Sequence, residues 1–289
     1  MHTDPLSIYG PAIPAVPLVL DSPHSGHRFP ADFDAAVSEF DLRDGEDCFI
    51  DELYRPATEL GVTLIAAEFA RTYLDANRHA GDIDLELIEG GRWPHAWMPS
   101  GKAEIGKALV WRTLGDGRAI YRRRLTVAEV TDRIERCHAP YHRAVKAHIE
   151  AVHARFGLSY HLDCHSMNAV AGAQGEGGAG IARADFVLGD RDGTTCEPAF
   201  TAFAADLLGS LGYRVKVDPY KGVELVRAYS DPAQGRHSLQ VEINKRLYMD
   251  ESQRWPHEGY ATLQQRLQQL LEGVLDYGRK AVARRRAGR

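Results

Sequence analysis

The sequence predicts an α/β protein whose mixed, largely parallel sheet is flanked by helices. Short apolar runs with the length of buried strands alternate along the chain with longer segments that carry apolar residues at helical spacing. Such βα alternation is typical of sheets covered by helices. Because parallel strands end at the same edge of a sheet, the functional loops are expected at the carboxyl ends of the strands.

Several apolar segments have the length and composition of buried strands. In chain order the predicted strands cover residues 17–20, 62–69, 158–164, 184–189, 213–217 and 238–243. The segment 171–180 is different, since it is rich in glycine and lacks large apolar residues. It is interpreted as a mobile loop or lid.

Helices are predicted between these strands. Apolar residues at helical spacing run over residues 47–60, and Gly61 supplies the stop. A long helix starts at Thr126, whose hydroxyl can cap it while Glu129 completes a capping box, and Pro140 is expected to kink it. Two further helices are predicted over residues 198–211 and 260–282.

Composition and charge predict one domain without a nucleic-acid or membrane partner. The 289 residues, 44% of them hydrophobic, suffice to bury a large core, and no linker divides them, so a single domain over residues 1–289 is expected. A formal net charge of −5 argues against a phosphate-backbone partner. Neither a secretory signal nor an apolar run of membrane-spanning length is expected in the chain.

The cysteines predict a reducing compartment. Cys48, Cys137, Cys164 and Cys196 are widely scattered and show no CxxC spacing. This pattern indicates neither a disulfide framework nor a thiolate zinc site. A cytoplasmic location is therefore expected, and the oligomeric state stays open.

Two histidines next to predicted strands suggest a metal centre. His24 follows the first apolar run and His165 follows the run 158–164, so each imidazole is expected at a strand tip. Zinc in a hydrolase typically takes three ligands from histidine and carboxylate and leaves a fourth position for water. Asp47, at the start of the helix after the His24 loop, is the preferred third ligand, with Glu46 as the alternative. The competing interpretation of each histidine is a hydrogen-bonded structural residue.

A second group of polar residues follows the predicted strand 62–69. Arg71, Asn77 and Arg78 place two guanidinium groups and an amide in one loop. Because a guanidinium binds a carboxylate through two parallel hydrogen bonds, these residues suit a small anionic substrate. The alternative is a structural ion pair with Asp75.

A carboxylate interrupts the otherwise apolar strand 238–243. Burial of Glu242 there would be costly without a purpose. Near a metal centre, Glu242 could take a proton from water and return it to the leaving nitrogen, as a general base and acid. The alternatives are an ion pair with Lys245 or Arg246, or a side chain that faces solvent.

Several motifs stand in a fixed order along the chain. They are SPHSG (22–26) followed by FP (29–30), DCFIDELY (47–54), RTYLDANR (71–78), DCHSM (163–167), VLGDR (187–191) and QVEINKRLYM (240–249). Through these motifs the chain resembles the N-formylglutamate amidohydrolase family, and the likeness runs over most of its length.

The resemblance implies a phosphorylase/hydrolase-like α/β fold, akin to that of zinc carboxypeptidases and aspartoacylases, with one zinc ion as cofactor. It also implies hydrolysis of N-formyl-L-glutamate to formate and L-glutamate in histidine degradation. In the carboxypeptidase relatives a His-x-x-Glu pair and a distant His hold the metal, an Asn-Arg pair binds the substrate carboxylate and a late Glu acts on water. The resemblance assigns these roles to His24, His165, Asn77, Arg78 and Glu242.

One position departs from the carboxypeptidase pattern. Three residues after His24 stands His27 rather than a glutamate. The carboxylate ligand must therefore come from elsewhere, which is why Asp47 is chosen, and a role for His27 stays open.

Three other functions stay open. A zinc-dependent deacylase or carboxypeptidase-like hydrolase acting on another small acidic N-acyl amino acid would use the same arginines. A cysteine hydrolase using Cys164 is disfavoured, because Cys164 and His165 are strand neighbours and point to opposite faces. A non-catalytic anion-binding protein would keep the arginines without turnover.

Overall fold

The computed structural model describes residues 4–172, 178–217 and 222–287. They fall into two units, each described by itself. The first unit is built mainly from Pro23–Asp47 and Ala66–Ala144, and the second from Ile8–Ser22, Cys48–Ile65 and the chain from Val145 onward. The single domain expected over residues 1–289 stays a prediction.

Most strands belong to one mixed sheet. The strands are β1 (Leu6–Tyr9), β2 (Leu18–Ser22), β3 (Thr63–Ala67), β4 (Ser159–Met167), β5 (Phe186–Gly189), β6 (Val215–Val217), β7 (Arg236–Asn244), β8 (Met249–Asp250) and β9 (Trp255–Pro256). The first seven form a sheet in the order β1-β3-β2-β4-β7-β5-β6, and the last two form a separate pair. Strand β4 is parallel to β2 and β7, β5 is parallel to β6, and β5 is antiparallel to β7. The predicted mixed, largely parallel sheet is confirmed.

The helices alternate with these strands, as predicted. They are α1 (Glu39–Leu42), α2 (Ile50–Tyr54), α3 (Val127–Arg133), α4 (Ala139–Phe156), α5 (Pro198–Ser210), α6 (Glu224–Tyr229) and α7 (Gly259–Ala287). Of the helices in the described ranges, none is long and apolar enough to cross a membrane.

The strands at the centre of the sheet separate an apolar face from a polar face, because successive side chains point to opposite sides. Apolar side chains of β2, β4 and β7 enter the core of the second unit together with residues of α2, α5 and α7: Leu18, Leu20, Tyr160, Leu162, Cys164, Leu239, Val241 and Ile243. The residues between them include a polar set: Asp21, His161, Asp163, His165, Ser238, Gln240 and Glu242. The sheet thus presents histidine and carboxylate groups on the face that its core does not use.

On the polar face, three residues of β2, β4 and β7 that precede His24, His165 and Glu242 form hydrogen bonds with one another. His161 Nε2 lies 2.7 Å from Asp21 Oδ1, and His161 Nδ1 lies 3.1 Å from Ser238 Oγ. All three residues are buried. Because their polar atoms have partners, we interpret this cluster as a satisfied structural network.

The bounds predicted for the helix over residues 47–60 are wrong. Helix α2 begins only at Ile50, since Phe49 adopts a left-handed conformation with φ 65°. From Arg55 to Leu60 the chain continues as a 3-10 helix that contains Pro56, and Gly61 ends it with φ 84°. Asp47 therefore lies in the turn before α2 and outside its first turn, so the helix-dipole argument for Asp47 does not hold.

In the first unit, the capping box predicted at Thr126 is present. Thr126 Oγ1 accepts a hydrogen bond from the Glu129 N–H at 3.2 Å, and Glu129 Oε2 accepts one from the Thr126 N–H at 2.7 Å. Residues Ile134–His138 form a π-helical turn between α3 and α4, just ahead of Pro140. Such turns occur often at functional sites.

The glycine-rich segment 171–180 was interpreted as a loop or lid. Residues 173–177 of this segment lie outside the described residues.

Candidate functional site

His24, Asp47 and His165 form a group that could hold a metal ion. Each offers one ligand atom, and these atoms all lie within 4.8 Å of one another. The three residues are 1%, 2% and 3% exposed. Two imidazoles and one carboxylate are a donor set that zinc takes in hydrolases.

The backbone around His24 explains how this residue is held. His24 follows the last residue of β2 by two positions, and its carbonyl accepts a hydrogen bond from the Asp47 N–H at 3.0 Å. Gly26 lets the loop approach the chain near Phe69, because a Cβ at Gly26 would lie 2.5 Å from the Phe69 carbonyl oxygen. The SPHSG motif thus combines a candidate metal ligand, His24, with the glycine that its loop needs.

His24 is oriented by a carboxylate on its Nε2 side, since Nε2 donates to Asp75 Oδ1 at 2.7 Å. The Nδ1 atom of His24 then remains for a metal ion, and it lies 3.4 Å from Asp47 Oδ2. At the second histidine, Asp163 Oδ1 lies 2.7 Å from His165 Nε2. Metal-ligating histidines generally use their second nitrogen in this way, so the residues fit a divalent metal.

The alternative ligands are directed elsewhere. Glu46 accepts a hydrogen bond from Arg43 Nη2 at 2.8 Å and is absent from the ligand group. The side chain of His27 is 64% exposed, with Nδ1 3.9 Å from Glu46 Oε1. Asp47 is therefore the carboxylate of the candidate group.

Asp75 connects His24 to the predicted substrate-binding arginines. Its Oδ2 accepts a hydrogen bond from Arg71 Nε at 2.9 Å and lies 3.7 Å from Arg78 Nε. Burial raises the pKa of Asp75, but the charges of Arg71, His24 and Arg78 outweigh burial and hold this pKa well below its usual value. The ion pair with Asp75 that the sequence offered as an alternative is thus present. Two arginines face this one carboxylate, so a net positive charge remains.

The guanidinium group of Arg78 has a hydrogen-bond donor that no described residue uses. Its side chain is 11% exposed, and within the described part of the chain its Nε has no hydrogen-bond partner. The neighbouring Asn77 is buried, and its N–H donates to Asp75 Oδ1 at 2.9 Å. A nearly buried guanidinium with unused donors suits a bound carboxylate.

Glu242 is the nearest strand neighbour of His165. Strands β4 and β7 run parallel, and their register pairs His165 with Glu242. Paired residues on adjacent strands point to the same face, so the carboxylate stands beside the imidazole. Gln240 Nε2 donates to Glu242 Oε1 at 2.9 Å and orients the carboxylate, while Arg246 pairs with Asp185.

Cys164 points away from His165 into the core. Its side chain belongs to the apolar cluster, and burial raises the pKa of the thiol well above its usual value. A protonated, buried thiol is a poor nucleophile, so the geometry does not favour a cysteine hydrolase.

The sequence did not reveal three side chains that hold the loop 73–78. His142 Nε2 and His138 Nε2 donate to the carbonyls of Ala76 and Arg78, each at 2.8 Å. The two rings stack with centroids 3.9 Å apart, and Arg133 Nη1 donates to the Tyr73 carbonyl at 3.2 Å. The spacing of four residues between the two histidines on a predicted helix was the available signal.

Comparison with known proteins identifies the family of the chain. The family described as N-formylglutamate amidohydrolase matches residues 16–249. The chain is 30% identical to the N-formylglutamate deformylase of Pseudomonas aeruginosa, covering 93% of this chain and 96% of that one, and 29% identical to the enzyme of the same name from Pseudomonas putida, covering 91% and 94%.

A solved structure is similar throughout. The crystal structure of N-formylglutamate amidohydrolase from Ralstonia eutropha JMP134 superposes with a TM-score of 0.90 at 43% identity, covering 96% of this chain and 100% of that one. The predicted family resemblance is confirmed. The chain belongs to the N-formylglutamate amidohydrolase family.

Proposed function

We propose that the protein is a zinc-dependent amidohydrolase that converts N-formyl-L-glutamate to formate and L-glutamate in histidine degradation. The observation that carries this proposal is the double role of Asp75. It accepts hydrogen bonds from His24 of the candidate metal group and from Arg71, and it lies 3.7 Å from Arg78 Nε. The names of the relatives from Pseudomonas support the choice of substrate.

Arg71, Asn77 and Arg78 bind the anionic substrate in this proposal. Arg78 offers a guanidinium that nearby hydrogen bonds do not saturate, and Arg71 keeps about a quarter of its side chain exposed, at 24%. Because Asp75 fixes both side chains, the substrate is held without a large loss of side-chain entropy on binding. This orients the amide toward the metal group.

His24, Asp47 and His165 hold one zinc ion. When bound, zinc supplies Lewis acidity, which lowers the pKa of water toward roughly 7 and polarises a carbonyl oxygen. Asp75 keeps the imidazole of His24 in the tautomer that leaves Nδ1 for the metal, and Asp163 lies beside His165.

Glu242 moves the protons. Its carboxylate takes a proton from the attacking water as the oxygen bonds to the formyl carbon. It then delivers that proton to the glutamate nitrogen as the carbon–nitrogen bond breaks. The position beside His165 and the hydrogen bond from Gln240 support this role.

We place the enzyme in the cytoplasm as part of the proposal. All four cysteines lie in the described part of the chain, are buried and form no disulfide. A chain with this cysteine pattern suits a reducing compartment.

The test combines elemental analysis of the purified protein with formate and acetate release assays on N-formyl and N-acetyl acidic amino acids. We expect about one zinc per chain, turnover of N-formyl-L-glutamate above the other substrates, loss of activity in chelator and recovery with zinc. Preference for an N-acetyl compound would identify a different acidic deacylase. Tight binding without product would identify an anion-binding protein, and inhibition by a thiol alkylator with full activity in chelator would favour a cysteine hydrolase.

A further inference from the structure

Lys107 adds an ammonium group near Arg71, which belongs to the proposed anion site formed by Arg71, Asn77 and Arg78. Its Nζ lies 4.7 Å from the centre of the Trp111 ring, and Arg71 Cζ lies 5.2 Å from the same ring centre. Both distances are in the range of cation–π contacts. The same indole ring therefore contacts both cations, and the charge of Arg71 acts on Lys107.

Backbone hydrogen bonds fix this arrangement to the loop that carries Asp75. Lys107 and Trp111 face each other across an antiparallel bridge. Between them, the Leu109 carbonyl accepts a hydrogen bond from the Asp75 N–H at 2.7 Å, and the Leu109 N–H donates to Asp82 O at 2.9 Å. The turn with Lys107 is thus part of the framework of the anion site.

The Trp111 ring also packs on the segment that leads to Asp47. A Cβ at Gly45 would lie 2.8 Å from Trp111 Cη2, so only a glycine allows the ring to approach there. The Gly45 carbonyl accepts a hydrogen bond from Arg71 Nη1 at 3.4 Å. The Trp111 ring thus contacts Lys107, Arg71 and the turn before Asp47.

The side chain of Lys107 is partly buried. Across residues 4–172, 178–217 and 222–287, it forms no ion pair with a carboxylate within 4.0 Å, and Asp44 acts on it through charge alone. Burial lowers the pKa of Lys107, the charge of Asp44 raises it, and the charge of Arg71 lowers it again. A partly desolvated ammonium beside a guanidinium attracts an anion.

We propose that Lys107 binds the side-chain carboxylate of an N-acyl dicarboxylic amino acid, while Arg78 and Asn77 bind its α-carboxylate. The inference rests on the proposed function, which supplies a substrate with two carboxylates. Lys107 then sets the preference for an acidic over a neutral side chain, since removing the substrate charge would leave the ammonium without a counterion.

The experiment compares N-formyl-L-glutamate with N-formyl-L-glutamine, in which a neutral amide replaces the side-chain carboxylate. The kcat and KM of formate release are measured for the zinc-supplemented wild type, Lys107→Met, Lys107→Arg and Lys280→Met. Lys280 is exposed and pairs with Asp276 on α7, so its variant controls for the loss of one lysine charge. We expect Lys107→Met to raise the KM for N-formylglutamate about 10- to 100-fold. The same variant should leave kcat/KM for N-formylglutamine unchanged, because that compound has no side-chain carboxylate for Lys107 to bind. Lys107→Arg should keep most of the preference, and Lys280→Met should match the wild type.

The ratio of the two kcat/KM values is independent of the folded fraction, because misfolding lowers both values alike. An unchanged ratio in Lys107→Met, or equal losses on both substrates, would overturn the inference and leave the proposed function standing. If the wild type releases formate from neither compound, the proposed function fails and calorimetry with the same two compounds decides the inference. The inference is supported if the wild type binds N-formylglutamate more tightly than N-formylglutamine and Lys107→Met does not. It is overturned if each protein binds the two compounds with equal affinity.

Discussion

Asp75 accepts a hydrogen bond from His24 at 2.7 Å, between Nε2 of the imidazole and Oδ1 of the carboxylate. The carboxylate is fully buried and also bonds Arg71. A proposed metal ligand and a proposed substrate-binding side chain therefore contact the same carboxylate. A change at Asp75 is expected to affect both zinc affinity and substrate affinity.

Asp75→Asn keeps the shape of the side chain and removes its charge. We expect zinc affinity or kcat/KM to fall about 10- to 100-fold, because carboxylate partners of ligating histidines contribute about this much. Zinc titration and formate release measure the two effects. Asp116→Asn removes an exposed carboxylate that pairs with Arg118 and is the matched control. Wild-type zinc affinity and kinetics in Asp75→Asn would contradict the role of Asp75.

Glu242→Gln separates proton transfer from metal binding. We expect kcat to fall about 10²- to 10⁴-fold, the usual contribution of a general base, while elemental analysis finds the wild-type zinc content. Glu258→Gln, at an exposed position just before α7, is the control and should leave kcat unchanged. If Glu242→Gln lost zinc while turnover persisted, the carboxylate would have to be reassigned.

Much of the sheet and its polar face could be predicted from sequence periodicity. Alternation along 158–164 correctly placed Cys164 and His165 on opposite faces, since period two is a property of any strand. The short β1 was not predicted, because its four residues are only partly buried and carry no continuous apolar run.

The sequence favours Asp47 over Glu46 only through a helix-dipole argument, which the structure does not support. The two carboxylates are adjacent, and a single left-handed residue, Phe49, shifts the start of α2 and the direction of the turn before it. Likewise, Asp75 could be recognised as a partner of Arg71, but its bond to His24 joins residues 51 positions apart. Such contacts depend on loop conformations that no local pattern encodes.

The stacked histidines of the α3–α4 region should position the loop 73–78. His142→Ala removes the donor to the Ala76 carbonyl, so we expect kcat/KM to fall about 10- to 100-fold, mainly through KM, with zinc content unchanged. The control is His153→Ala on the same helix, because His153 Nε2 makes the same kind of bond, 2.8 Å long, to the Gln234 carbonyl. Loss of kcat with an unchanged KM would indicate a role in the chemical step.

The capping box at the start of α3 should make stability depend on pH. Hydrogen bonds from Arg123 lower the pKa of Glu129, burial raises it, and hydrogen bonds from Thr126 lower it further, so that the pKa falls from 4.5 to about 2. A carboxyl whose pKa is lower in the folded state stabilises that state above its unfolded pKa, and this contribution is lost as the pH falls from 4.5 toward about 2. We therefore expect Glu129→Gln to lower the free energy of unfolding at pH 6 and the difference from the wild type to shrink through this interval, as measured by urea denaturation at several pH values. A difference that stays constant from pH 6 to pH 3 would show that the charge of Glu129 does not stabilise α3.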